Sequence, residues 1–388
     1  MSAPTTRRPP ARTVHAGLPS AALLGGLVGS ELLDITDDLA ALDSSGRWAV
    51  VIPYAGTPVL ARFGRWQPER GRTADAGLEG VPLEAGRWTG PRQEEWRSSL
   101  TGSAYRSAVD EVRQRIARGD VYQANICRVL SAPLPDPRAA DIAALHARLV
   151  AGNPSPFCGV IRVPGAHVAT ASPELFLRRR GQRVESGPIK GTGRVAADLQ
   201  DKDRSENVMI VDLVRNDLSR ACVPGSVEVP RLLSIEQHPG LVHLVSVVAG
   251  ELRADIGWPT LLDAAFPPGS VTGAPKSSAL RIIDELEPTS RGVYCGAVGW
   301  VDADTGEGEL AVAIRTFWVE DDHVHFGTGA GITWGSDPVA EWQETELKAS
   351  RLIALASGED PRPDPPGSGD PSRGPIPSVT APADRSRP

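Results

Sequence analysis

The sequence predicts an α+β protein in which antiparallel β-sheets are covered by helices. Three observations carry that prediction. Strand-like segments cluster as hairpins rather than alternating with helices, which argues against a doubly wound parallel sheet. Helical periodicity appears in a few separated stretches, one of them closing the ordered part of the chain. No segment repeats at a period of 20–50 residues, which excludes solenoids and propellers. With 388 residues, 40% of them hydrophobic, the chain is long enough for one large or two ordinary domains with a real core.

Residues 1–18 are rich in Pro and Arg without a period and read as a disordered N-terminal tail. "TTRRPPARTVHAG" followed by "AALLGGLVG" has the order of a twin-arginine signal. That apolar stretch is short and glycine-rich and lacks a small-residue cleavage site, so a cytoplasmic protein is expected. No run approaches the ~20 apolar residues that span a bilayer, so no membrane partner is expected. Residues 19–100 form an N-terminal region, in which "WAVVIPY" and "PVLARFGRW" read as strands joined by a Gly-containing turn.

Residues 101–357 hold the remaining pattern. In "RSAVDEVRQRIARGD", Val109, Val112 and Ile116 fall at helical spacing and Gly119 stands at the C-cap. "VYQANICRVLSAPL" then alternates as a strand. "DKDRSENVMIVDLVRNDL" opens a helix with Asp203 and Glu206 at i, i+3. "PPGSVTGAPK" is a loop entering a helix. "GAVGWVDADTGEGELAVAIRTFWV" reads as two strands around an Asp-Thr-Gly turn, with Arg315 on the second. "DHVHFGTGAGI" reads as a third strand ending in a glycine-rich turn able to aim N–H groups at an anion. The chain closes with a helix over 338–357. Glu341, Glu344, Thr345 and Lys348 share one face of it, with Leu347, Ile353 and Ala354 as apolar surface on other sides. Residues 358–388 hold nine prolines and almost no large apolar side chain, and read as a second disordered tail.

Net charge is −7, and no basic run is interleaved with aromatics, so no nucleic-acid partner is expected. The cysteines Cys127, Cys158, Cys222 and Cys295 lie far apart without a C-x-x-C pair. A disulfide framework or zinc site is therefore not expected, and a reducing compartment fits. Two acidic pairs, Asp203/Glu206 and Glu341/Glu344, suit either a solvated helix face or a shared hard cation such as magnesium.

Lysine usage is the sharpest compositional signal. Of 41 basic residues only Lys190, Lys202, Lys276 and Lys348 are lysines. Arginine stays protonated and cannot serve as a nucleophile, whereas lysine can. Lys190, in "ESGPIKGTGRV", is thus either a nucleophile or a surface relic.

Taken together, "ASPELFL", "PIKGT", "DRSENVMIVDLVRNDL", "HLVS", "GSVTGAPK", "YCGAVGW", "AIRT", "GAGI" and "EWQETELK" resemble the chorismate-utilising enzymes. The match runs in family order from about residue 100 to 357. The resemblance implies an anthranilate/aminodeoxychorismate synthase-like fold, with antiparallel sheets packed face to face. It also implies a chorismate-binding catalytic domain over 101–357, preceded by a shortened region over 19–100; feedback by tryptophan is not expected of it. Gln123 stands where the hydroxylating members carry a lysine base. Lys190 stands where anthranilate synthases carry Ala and aminodeoxychorismate synthases carry Lys.

What the resemblance implies is therefore amination. Mg2+ would hold a chorismate carboxylate, with Glu206 and Glu344 as ligands supported by Asp203 and Glu341. Arg315 and Tyr294 would meet the enolpyruvyl carboxylate near Gly329, Ala330 and Gly331, with Lys348 beside the metal-bound carboxylate. Gln123, Gly191 and Thr192 would contact substrate, and His243 and Thr272 would line the ring pocket. Lys190 would attack C2 while Glu174 protonates the departing C4 hydroxyl; ammonia would then attack C4 and displace the lysine. No G-x-C-x-G glutaminase loop is present, so ammonia would come from a glutamine amidotransferase small subunit. The product would be 4-amino-4-deoxychorismate, on the route to 4-aminobenzoate and folate. Anthranilate or aminodeoxyisochorismate production with Lys190 idle, and a non-catalytic metabolite-binding homologue, are the alternatives.

Overall fold

The computed structural model describes residues 18–70, 80–193, 195–199, 201–238 and 241–358. Residues 1–17 and 359–388, assigned above to disordered tails, lie outside that set. The N-terminal region supplies β1 (Ala21–Leu24), β2 (Leu27–Thr36), β3 (Arg47–Ile52), β4 (Val59–Pro68) and β5 (Arg97–Ser98). There follow α1 (Gly102–Arg118), β6 (Gln123–Pro133), α2 (Ile142–Gly152), β7 (Phe157–Val163), β8 (Ala166–Ser172), β9 (Leu175–Arg180), β10 (Arg183–Gly187) and β11 (Ile189–Gly193). The second half holds α3 (Asp201–Ser219), β12 (Glu228–His238), β13 (Leu241–Glu251), α4 (Trp258–Ala265), β14 (Gly273–Ala274) and α5 (Lys276–Leu286). It ends with β15 (Ala297–Asp302), β16 (Glu307–Val312), β17 (Thr316–Glu320), β18 (His323–Ile332) and α6 (Pro338–Ala356).

Every named pairing is antiparallel, and the pairings trace two ribbons. One runs β6–β18–β17–β8–β7–β1. The other runs β2–β4–β3–β15–β16–β9–β10–β13–β12, with β11 also on β13. The β1–β2 hairpin joins them. Its turn is Gly25–Gly26, with φ of +57° and +77°. Two successive left-handed residues suit the right-handed twist of a two-residue hairpin, and glycine adopts them without strain. The apolar run that resembles a signal segment is thus this hairpin. Among the described residues no helix is long and apolar enough to cross a membrane.

The two ribbons lie face to face. Trp48, Val50, Val298 and Leu310 of the second share one core with Ile161, Val163 and Val168 of the first. Helices cover the outer faces: α2 and α6 close over Ala169, Phe317 and Phe326, and α1 and α5 over Ile126 and Ile332. That double cover explains β6, which was expected to alternate. Its first six residues are all buried, because Cys127 faces the inter-sheet core while Ile126 faces the helices. Burial on both faces therefore extends to the polar Gln123, Asn125 and Arg128.

Three local expectations need correction. The stretch expected to form one strand through Arg315 is broken into β16 and β17. Arg315 stands between them at φ +51°, outside the strand assigned to it. The reason is topological: β16 belongs to the second ribbon and β17 to the first, so the chain changes sheets there. Residues 326–332 are no turn; they pair along β6 from Phe326↔Leu130 to Ile332↔Ala124. Leu347 supplies no packing surface, being 77% exposed.

Candidate functional site

The residues with chemical potential converge where β11, α3, β18 and α6 meet. Lys190 extends from β11, and its Nζ donates to the Ser270 carbonyl at 3.1 Å. Gly331 of β18 faces the same point. A Cβ there would lie 3.3 Å from Lys190 Nζ and would run into Gln123 Nε2, so this position must lack a side chain. Gln123 is wholly buried, and neither its amide nitrogen nor its oxygen has a hydrogen-bond partner. Buried amides are normally partnered, so an orphaned one beside an amine points to a ligand-binding position. Gly191 adopts φ +82°, and a Cβ on it would press on Asp203 at 2.8 Å. Glycine at 191 therefore lets the β11 backbone come against α3.

Glu174 lies behind Lys190. It is buried, and burial pushes its carboxyl up to about 7, against hydrogen bonds from the Ser270 side chain and the Ile189 backbone and the charge of Lys190. Near neutrality it is a proton donor held next to an amine.

Four carboxylates face one another across α3 and α6. Glu206 is pushed up by burial, opposed by Lys190 and Lys202 and reinforced by Glu341 and Asp203. Glu344 is half exposed; its partial burial pushes upward, but its bond to Lys348 and the charges of Lys202 and Lys190 hold it below the usual range. Lys348 Nζ lies 2.6 Å from Glu344 Oε1 and donates to the Gly329 carbonyl at 3.0 Å. Lys202 Nζ lies 2.7 Å from Glu341 Oε1 and 3.8 Å from Glu206 Oε1. Among the described residues no three His, Cys, Asp or Glu are gathered closely enough to hold a metal ion unaided. The donor set still fits magnesium, which takes one or two carboxylates and completes its shell with water and an anionic ligand.

The other candidates are more dispersed. Arg315 is half-buried, and burial pulls its guanidinium down; among the described residues no carboxylate pairs with it. A half-buried arginine with no carboxylate partner among the described residues is suited to an anionic ligand. The Tyr294 ring packs flat against Gly327, where any side chain would overlap it. Thr272 is buried, and its hydroxyl turns back to the Pro268 and Gly269 carbonyls at 3.1 and 3.2 Å. His243, also buried, sits on β13 opposite Thr192 of β11. The Thr192 side chain lies outside the described set. Ala330 is buried on β18 and packs with Ile332 against α1 and α5.

The family of chorismate binding enzymes matches residues 68–354 of this chain by sequence profile. The chain belongs to that family. Anthranilate synthase component 1 of Streptomyces coelicolor is 41% identical to this chorismate binding enzyme over 293 residues, covering 72% of this chain and 56% of the relative. Aminodeoxychorismate synthase component 1 of Klebsiella aerogenes is 38% identical over 270 residues, covering 66% and 59%. The chain thus spans somewhat over half the length of these curated relatives. Anthranilate synthase component I of Streptococcus pneumoniae superposes with a TM-score of 0.67 at 24% identity, covering 91% of this chain and 94% of that one. The menaquinone-specific isochorismate synthase of Escherichia coli gives 0.67 at 19% identity, covering 87% and 89%. These likenesses establish the fold of the chorismate binding enzyme.

Several residues around the site escaped the sequence reading. Ser270 bonds both Lys190, through its carbonyl, and Glu174, through its hydroxyl. Lys276 donates to Asp217 at 2.7 Å and to the Ala265 and Pro267 carbonyls at 3.0 and 2.9 Å, tying the loop that carries Ser270 to α3. Arg128 of β6 grips Glu346 and the Thr345 hydroxyl of α6 and lies 4.3 Å from the Trp342 ring centroid. Lys202 and Lys276 had a signal, the rarity of lysine, and Ser270 stands in the quoted "GSVTGAPK" block; Arg128 had none. Away from the site, a cavity of about 480 Å³ is lined by Leu24, Phe157, Thr170 and Trp300, among others.

Proposed function

We propose that this chain is the large subunit of an aminodeoxychorismate synthase, converting chorismate and ammonia to 4-amino-4-deoxychorismate. The observation that carries the proposal is Lys190 itself. Supporting it, the Lys190 charge acts on Glu174, Glu206 and Glu344, and its amine lies beside Gly331 and the buried Gln123 amide. A lysine at this position has no obvious task in making anthranilate. Glu206 and Glu344 would hold Mg2+ with Asp203 and Glu341 in support, and the bound ion would neutralise a substrate carboxylate and draw charge from the ring.

The chain's own residues would do the rest. The unpaired Arg315 guanidinium would orient the second carboxylate of a dianion. Lys190, after giving up a proton, would form a C–N bond at ring carbon C2 as both ring double bonds shift and the C4–O bond breaks. Glu174 would protonate the leaving hydroxyl, which departs as water. Ammonia would then form a bond at C4 while the C2–N bond breaks, and the freed Lys190 amine recovers a proton. The buried amide of Gln123 cannot act as a base, which favours an incoming amine over an activated water. Ammonia would come from a glutamine amidotransferase partner. Four free, buried cysteines suit a reducing cytoplasm.

The test is product identity. Purified chain with chorismate, magnesium and ammonium should yield 4-amino-4-deoxychorismate by mass spectrometry and ultraviolet absorbance. Lys190→Ala should lower that rate roughly 10³-fold or more. Full activity in the variant, or anthranilate as the product, would sink the proposal.

A further inference from the structure

Lys202 has no role in the scheme above, yet it is the cation that α3 and α6 share. A separation of 139 residues along the chain is closed by its 2.7 Å contact to Glu341 Oε1. The same Nζ lies 3.8 Å from Glu206 Oε1 and 3.5 Å from Ser336 Oγ. Exposure is uneven across this group: the lysine side chain is 38% exposed, against 4% for Glu341 and 11% for Glu206. Glu341 and Glu206 are fixed inside, and the ammonium reaches them from the solvent side. Lysine has a long flexible stem and a compact, strongly hydrated head, so releasing it to water is cheap.

Ionised, Asp203, Glu206, Glu341 and Glu344 bring four negative charges to this corner. Lys190, Lys202 and Lys348 bring three positive ones, and each of them acts on Glu206 or Glu344. A divalent cation held by Glu206 and Glu344 would sit within a few ångströms of the Lys202 ammonium. Like charges that close do not both stay. We infer that Lys202 is a built-in counter-cation, which holds the carboxylates of α3 and α6 together while no divalent ion is bound and swings out to solvent when one binds. The inference rests on the magnesium reading above. It makes Lys202 a positioning residue that preserves the cluster and lowers its affinity for metal.

The experiment is calorimetric titration of the full chain with magnesium chloride alone, at fixed ionic strength. Staying about 5 Å from a divalent ion in a water-like dielectric would cost a unit charge roughly tenfold in binding, which bounds the cost of displacing Lys202. Lys202→Gln should therefore bind magnesium more tightly than the wild type, by up to about tenfold. Lys202→Arg, which keeps the charge, should bind as the wild type does. Without magnesium, Lys202→Gln should melt at a lower temperature than the wild type, and the gap should close at saturating magnesium. Should the glutamine variant not fold, Lys202→Met repeats the charge removal with an apolar stem. Equal or weaker magnesium binding by the charge-removed variants would overturn the inference while leaving the metal site standing. Absence of binding in the wild type and every variant would overturn the metal reading, and this inference with it.

Discussion

Glu174 shows how one buried side chain couples stability to chemistry. Burial raises its carboxyl from an ordinary 4.5 to about 7, so the folded protein favours the neutral acid. The stability this lends is complete below about 4.5 and is lost as pH rises through about 7. Melting temperature followed across that range should therefore fall less steeply for Glu174→Gln than for the wild type. The same ionisation removes the proton donor, so turnover should decline above about pH 7. Glu174→Gln should cost roughly 10²–10⁴-fold in turnover, measured with ammonium as the nitrogen source. At this scale much was legible beforehand, since Lys190, Glu174 and the acidic pairs stand in recognisable motifs. Ser270 was not, because it acts on Lys190 through a backbone carbonyl that any residue would supply.

The elements carry the site only if their faces are held. Helix α6, which carries Glu341, Glu344 and Lys348, is fastened to β6 by Arg128 through Glu346 and the Thr345 hydroxyl. Arg128 is 2% exposed while Glu346 is 35% exposed, so only part of the usual penalty for splitting a buried pair applies. Arg128→Met should destabilise the chain by about 2–3 kcal/mol in urea unfolding and weaken magnesium binding without touching a ligand. Gly327→Ala should be worse tolerated, since its new methyl would overlap the Tyr294 ring; loss of soluble folded protein is the expected readout. Local signals fixed some elements well. Gly119 ends α1 with φ +82°, and β3 and β4 pair as a hairpin. Residues 326–332 misled because three glycines in a short stretch read locally as a turn. Only their ladder to β6, nearly 200 residues away, makes them a strand.

Over the whole molecule, the site is assembled from segments that only the sheets bring together. Gln123, Lys190, Glu206, Ser270, Gly331 and Glu344 lie on six separate segments. Ligands that bridge them should stabilise the fold as a unit. Magnesium with chorismate at about 100 times its dissociation constant should add about 2.7 kcal/mol, readable as a rise in melting temperature that chelation abolishes. The antiparallel class was legible because hairpin partners are neighbours in sequence. The face-to-face sheets came with the family resemblance; which strand joins which ribbon was not legible, because the chain changes sheets between β8 and β9 and again at Arg315.

One compositional oddity becomes useful once it is mapped. All four lysines border this one site: Lys190 within it, Lys348 at its half-exposed edge, Lys202 at its acidic corner and Lys276 beneath its loop. An acylating reagent therefore has almost no side-chain amines elsewhere to consume it. Labelling stoichiometry on the intact protein should read out the state of the candidate site directly, with a bound ligand or cation visible as protection and no peptide mapping needed.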